Sequence, residues 1–283
     1  MKSASTCLLL FMFNLSTLAT AGVINFGNAE EYIFASASNE QWGGNLLLGS
    51  EAHIFGSVAA SNTMELGDGA IIDGDACATP SNATNWGATV AGAIGVCTNF
   101  TQLANDISGA AAEAKMFTGS DLEDVTESTK IFGRGFQSFI INDLLLAGGE
   151  TLAITGSVTD YFVFNIFGAA MLGSGANILL QGGVAAENVI FNFVANSASH
   201  TFELGGANIS GTFLSSGRTF IIGDGATLNN SRFFSTESIV ANVQDVRFPK
   251  NTVPQVPVTE PSTLIIFAAG AMGLALYRFK KQS

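Results

Sequence analysis

The sequence predicts a mainly β chain: a parallel β-solenoid broken by one helix and held between an export signal and a membrane-directed tail. Three observations predict it. A glycine-centred phrase returns at a fixed spacing, a single stretch has helical periodicity, and the two termini differ in composition from everything between them.

Composition sets the outer limits. The 283 residues are 47% hydrophobic and 12% charged, which is enough apolar surface to exclude a disordered chain. The formal charge is −12, with 23 acidic and 11 basic side chains. That balance argues against nucleic acid as a partner, because phosphate neutralisation needs Lys and Arg. Between the two terminal signals the charge is more negative still, with seven basic residues against 22 acidic ones.

The N-terminus begins Met1-Lys2, continues with an apolar run from Cys7 to Phe13 and reaches Ala19-Thr20-Ala21. A basic start, a short apolar core and an A-x-A site form a secretory signal peptide over residues 1–21. Cleavage after Ala21 leaves Gly22 as the first mature residue, and the apolar run is too short to span a bilayer.

The body, residues 22–248, carries the repeat. Leu48-Gly49-Ser50-Glu51-Ala52-His53-Ile54-Phe55-Gly56 is echoed 18 residues later by Leu66-Gly67-Asp68-Gly69-Ala70-Ile71-Ile72-Asp73-Gly74. Leu204-Gly205-Gly206-Ala207-Asn208-Ile209 and Ile222-Gly223-Asp224-Gly225-Ala226-Thr227-Leu228 are again 18 apart, and Leu172-Gly173-Ser174-Gly175-Ala176-Asn177-Ile178 has the same form. Glycine permits a left-handed corner, and the aliphatic residues after it alternate as in a strand whose inner side stacks on the next coil. No single coil can bury its inner face, so stacking is obligatory. An antiparallel sandwich with glycine turns is the alternative arrangement of such short strands.

One segment departs from that pattern. Phe100, Leu103, Ile107, Ala111 and Ala114 recur at three- and four-residue spacing, which predicts a helix near residues 99–116. Beyond it, 160–167 and 188–193 read as strands. Cys77 and Cys97 survive signal cleavage, and in an oxidising compartment such a pair forms a disulfide.

The prolines concentrate at the end. Pro249, Pro254, Pro257 and Pro261 make residues 249–262 an extended linker. Residues 263–277 are uncharged and are followed by Arg278, Lys280 and Lys281. As a helix this run spans roughly 22 Å, a little short of the hydrocarbon core, with its basic end held in the cytoplasm. Residues 263–283 therefore read as a transmembrane segment with a basic tail.

Two resemblances extend this reading. Val258-Thr259-Glu260-Pro261-Ser262, the apolar span and the basic end resemble the PEP-CTERM sorting signal of Gram-negative bacteria, in which Thr259 departs from the usual Val-Pro-Glu-Pro. That resemblance implies signal peptidase and an exosortase-type enzyme as processing partners, an inner-membrane intermediate, and delivery to the cell surface or extracellular matrix. The body resembles the ice-binding-protein-like β-solenoids and the choice-of-anchor adhesin-like domains, through 160–165, 180–191, Gly211-Thr212-Phe213-Leu214 and Gly223-Asp224-Gly225-Ala226-Thr227-Leu228-Asn229. It implies a right-handed parallel β-solenoid (β-helix) with the helix packed alongside, and a binding domain without catalysis.

Chemical motifs are sparse. Asp68, Asp73 and Asp75, and Asp121, Glu123, Asp124 and Glu127, form acidic clusters without EF-hand or repeat-in-toxin spacing, so weak Ca²⁺ binding is the most they suggest. His53 and His200 lack metal-ligand spacing, and no cofactor is expected. No nucleophile elbow, Walker A loop or dinucleotide fingerprint is present. The cations Lys115, Lys130, Arg134, Arg218, Arg232, Arg247 and Lys250 are scattered, and no catalytic residue is predicted. The low charge and the many Thr, Ala, Ser and Asn residues permit ice binding, with Thr151-Leu152-Ala153-Ile154-Thr155 the nearest approach to a threonine ladder.

The main functional expectation is a non-catalytic matrix or adhesion protein that binds extracellular polysaccharide, a surface or its own copies. Ice binding is the alternative, and a polysaccharide-active β-helix enzyme comes third.

Overall fold

Each recurrence of the glycine phrase marks a corner between two strands. In three of the copies its second glycine takes a left-handed conformation, with φ of +71° at Gly69, +81° at Gly175 and +78° at Gly225. Glu51 fills the same place in the first copy, at φ 60°. The first glycine is needed for a different reason: a Cβ on Gly67 would collide with the backbone of Gly49 and Ser50 in the adjoining coil.

The computed structural model describes residues 24–248 except 41, 80–82, 86 and 195–200. The cleavage-site residues Ala19, Ala21 and Gly22, the motif Val258 to Ser262 and the 263–283 segment lie outside the described residues. Among the described residues no helix is long and apolar enough to cross a membrane.

The chain is mainly β, and every strand pairing is parallel in the manner of a β-solenoid. Each coil lays down three short strands, one on each of three sides. Asn45–Leu48, His53–Ile54 and Ser57–Ala60 make one coil, and Met64–Leu66, Ile71–Ile72 and Ala76–Ala78 the next. The register partners Leu48 and Leu66, Ile54 and Ile72, and Val58 and Ala76 are each 18 residues apart. Leu204 and Ile222 are likewise direct partners. The 18-residue offset in the sequence is thus the length of one coil.

The coils do not stack in chain order. Tyr32–Ser36 pairs on one edge with Ser57–Ala60 and on the other with Thr227–Ser235, so Phe34 lies beside Phe233. Asn45–Leu48 pairs with Ser238–Ala241, and His53–Ile54 with Asp245–Arg247. The first coils therefore sit on the last one. After Gly95 the chain passes through the helix and resumes with Ser120–Asp121 and Thr129–Phe132, on the far side of the remaining coils.

That helix, α1, spans Phe100–Met116, and the Asn99 side chain caps it by accepting the Gln102 N–H at 3.1 Å. Capping of this kind satisfies one of the orphan donors of the first turn. Leu103, Ala104, Ile107, Ala110, Ala111 and Ala114 are buried, and four alanines among them let the helix lie close to the sheet. They pack on Ala35, Ala59, Cys77, Tyr161, Val163, Ile190, Leu214 and Phe234. Two stacked asparagines fasten the helix end. Asn165 Nδ2 donates to the carbonyls of Ala114 (2.8 Å) and Phe117 (3.1 Å), and Asn192 Nδ2 donates to that of Ala111 (3.1 Å) and to Asn165 Oδ1 (2.8 Å).

Inside the coils runs a column of aromatic rings. Phe139, Phe164, Phe191, Phe213, Phe233 and Phe34 stack in that order, with centroid separations of 5.1, 4.9, 5.1, 4.8 and 5.6 Å. The last step, from Phe233 to Phe34, joins the two ends of the chain.

Cys77 and Cys97 form a disulfide with Cα atoms 5.2 Å apart. It ties a buried strand to the segment just before the helix cap. Closing a loop of this length stabilises by about 3 kcal/mol, chiefly through the unfolded state. Cys97→Ser should lower stability by about that much in urea unfolding under oxidising conditions, and reductant should bring the native protein to the same midpoint.

Asp160 holds another corner. Its carboxylate accepts the N–H groups of Gly135 (2.7 Å) and Ser157 (2.6 Å). These backbone donors hold its pKa below the usual carboxylate range, against a smaller opposing effect of burial. The anion is favoured in the folded state, so the stabilisation is complete above the unfolded pKa and is lost as pH falls through the folded one. Asp160→Asn should be less stable than the native chain at neutral pH, and the gap should close in strong acid, as read from urea midpoints across pH.

Candidate functional site

The three sides of the solenoid differ in what they offer to solvent. The side under α1 is covered. The second side is charged around one coil. There His53 Nε2 lies 3.2 Å from Asp73 Oδ1, and its Nδ1 lies 3.8 Å from Asp245 Oδ1. The imidazole stacks on Phe55 at 3.8 Å, and Arg247 lies over the same ring at 3.7 Å. Further along this side Thr151, Asn177, Asn208 and Thr227 are successive partners, and Asn229 Nδ2 donates to Asn208 Oδ1 at 2.9 Å. Thr151–Thr155 belongs here as a strand between Thr129–Phe132 and Asn177–Gln181.

The third side is a separate eight-stranded sheet. Its order is Ala83–Asn85, Met64–Leu66, Asn45–Leu48, Ser238–Ala241, Thr219–Ile222, Thr201–Leu204, Ala170–Leu172 and Leu144–Leu146. Every pair is parallel and none has a register shift. Inward residues such as Leu46, Leu48, Ile239, Phe220, Ile222 and Phe202 fill the core, so the residues between them face out.

Those outward residues form two rows. One runs Asn45, Ser238, Thr219, Thr201, with Asn45 Nδ2 donating to Ser238 Oγ at 3.1 Å. The other runs Thr84, Glu65, Leu47, Val240, Ile221, Glu203, Met171, Leu145. Glu65 and Glu203 are the only charges in them. Neighbouring strands lie about 4.8 Å apart and alternate residues about 6.7 Å apart along a strand. Outward side chains therefore repeat on a regular two-dimensional grid.

The residues singled out in the sequence fall in several places. Asp68, Asp73 and Asp75 lie at successive corners: Asp73 faces His53, and Asp75 accepts the Ala93 N–H at 2.8 Å. Asp121 and Asp124 accept the N–H groups of Glu123 and Asp143. Among the described residues the one group of three metal-type ligands is Asp75, Cys77 and Cys97, and its two sulfurs are consumed by the disulfide. His200 lies outside the described residues. A cleft of about 730 Å³ is lined by Phe132, Arg134, Gln137, Thr155 and Asp160, where Asp160 is engaged by the corner it holds. The outward rows of the eight-stranded sheet escaped the sequence reading, because residues adjacent in space, such as Leu47 and Val240, are far apart in the chain.

No protein-family model matches the chain, and no curated protein matches it. Among solved structures the fold is that of ice-binding proteins. The chain is similar to an ice-binding protein from an Antarctic biological consortium, with a TM-score of 0.53 and 16% identity, over 80% of this chain and 90% of that one. It is also similar to an ice-binding protein from an Antarctic Flavobacteriaceae bacterium, with a TM-score of 0.56 and 17% identity, over 80% of this chain and 48% of that one. At these identities the likeness establishes the fold. It also corrects the main functional expectation. The expectation of a matrix or adhesion protein is not upheld, because these similar solved structures are those of ice-binding proteins.

Proposed function

We propose that this chain is an exported ice-binding protein that adsorbs to ice through its eight-stranded sheet. The observation that carries the reading is the unshifted register of that sheet, which sets a hydroxyl row and an aliphatic row side by side on the least charged side of the solenoid. Hydroxyls can take lattice positions for water, while the aliphatic row gains by releasing the disordered water between itself and the crystal. The work is adsorption, with no bond made or broken and no cofactor.

The terminal signals complete the proposal. Signal peptidase cleaves after Ala21, residues 263–283 hold the chain in the inner membrane with Arg278, Lys280 and Lys281 in the cytoplasm, and an exosortase-type enzyme acts at the Val258 to Ser262 motif. The winding is right-handed. The Cys77–Cys97 disulfide supports an oxidising destination.

Thr219→Tyr tests the site. A tyrosine in the middle of the hydroxyl row lifts the sheet off any flat partner. The purified mature chain should facet ice crystals and slow recrystallisation, and the variant should do neither. Thr227→Tyr, on the charged side, should leave both intact. Round, freely growing crystals with the native chain sink the proposal, and equal loss in both variants moves the site off this sheet.

A further inference from the structure

We infer that Glu65 and Glu203 bound the ice-adsorbing surface and confine it to three coils, so that these two residues set the strength of adsorption. The inference rests on the reading of the eight-stranded sheet as the site.

In the outward row, Glu203 is the partner of Ile221 on one edge and of Met171 on the other. Glu65 is the partner of Leu47 and of Thr84. Between the two carboxylates stand only Leu47, Val240 and Ile221. Both glutamates are exposed, and neither is paired with a cation among the described residues. An unpaired carboxylate keeps its hydration shell and resists transfer to a surface that cannot solvate it. Pressed against a crystal lattice it must either shed that shell or hold the sheet away. Each glutamate thus ends the uninterrupted apolar row at its own strand.

The row continues beyond both. Past Glu203 lie Met171 and Leu145, in unbroken register. Neutralising Glu203 with a small side chain would join them to the central three, giving six consecutive coils. Changing Glu65 as well would extend the row to Thr84 and all eight strands. Outer strands of the present patch lie only about 10 Å apart, whereas a six-coil row spans about 24 Å. Because adsorption to a lattice sums over matched positions, the gain should exceed simple proportion.

The experiment compares the native mature chain with Glu203→Thr, Glu203→Gln and the Glu65→Thr/Glu203→Thr pair by thermal hysteresis and recrystallisation inhibition. Unfolding curves check that each variant is folded. Glu203→Thr should be several-fold more potent than the native chain, the pair more potent again, and Glu203→Gln intermediate, since it removes charge while keeping bulk. A native chain that binds ice with folded variants no better than it overturns the inference and leaves the proposed function standing. Activity in the pair but none in the native chain supports the inference while overturning the function for the natural sequence. Inactivity of all four overturns both.

Discussion

Phe191→Ala should destabilise the protein by about 3–5 kcal/mol, the largest effect expected of any single truncation in its core. Phe191 is fully buried and is stacked between Phe164 and Phe213, at 4.9 and 5.1 Å with the rings within 12° and 11° of parallel. Alanine removes the transfer free energy of the ring and leaves a cavity that neighbouring coils cannot close, because their spacing is set by backbone hydrogen bonds. It also ends two aromatic contacts at once, each contributing about 0.5–1.5 kcal/mol beyond burial. Phe191→Leu keeps most of the volume and should lose less than half as much. Urea denaturation with unchanged m-values reads both, and an alanine variant within about 1 kcal/mol of the native chain would show that the column is not a stabilising unit.

Arg218→Met should cost a comparable amount, on the order of 3–5 kcal/mol, for a different reason. Arg218 is completely buried, and its guanidinium bonds no carboxylate among the described residues. Nε and Nη2 donate to the carbonyl of Val194 at 3.1 and 2.7 Å, Nη1 to that of Gly168 at 2.6 Å, and Nη2 also to that of Phe167 at 2.9 Å. Burial lowers its pKa, while Asp143 acts the other way, yet a guanidinium starts so high that it stays charged. Methionine matches the stem and abandons three carbonyl groups, whose unsatisfied state carries most of the penalty. Lysine cannot reproduce the planar fork, so Arg218→Lys should recover only part of the loss. A lysine variant as stable as the native chain would show that charge, and not the fork, is what the corner requires.

Much of the fold was legible in the sequence, and the legible part has a common cause. Coil length shows as a repeat only where no residues are inserted, as between Leu48 and Leu66 or Leu204 and Ile222. Leu172 and Leu204 are equally direct partners, but 32 positions separate them because that coil is longer. The same irregularity hid the aromatic column: Phe139, Phe164, Phe191, Phe213 and Phe233 follow one another at unequal intervals, and no periodicity search finds them. A residue-by-residue look at 161–166, 189–193, 208–215 and 227–235 could have found them, since each of these strands carries a buried inward phenylalanine. Helix α1 was plain because its spacing depends only on its own backbone. The eight-stranded sheet's outward rows were not, because they cross from the beginning of the chain to its end between Leu47 and Val240.

That junction of the chain's two ends orders events in time. Synthesis proceeds from the N-terminus, so residues 32–60 emerge long before the strands at 227–247 on which they stack. Until the last coil arrives, the first has one bare edge, and local contacts cannot stand in for it. Folding waits on contacts that span most of the chain, which makes it slow. A chain that stops at Glu237 loses the strands at Ser238–Ala241 and Asp245–Arg247, and with them the floor on which its own beginning rests.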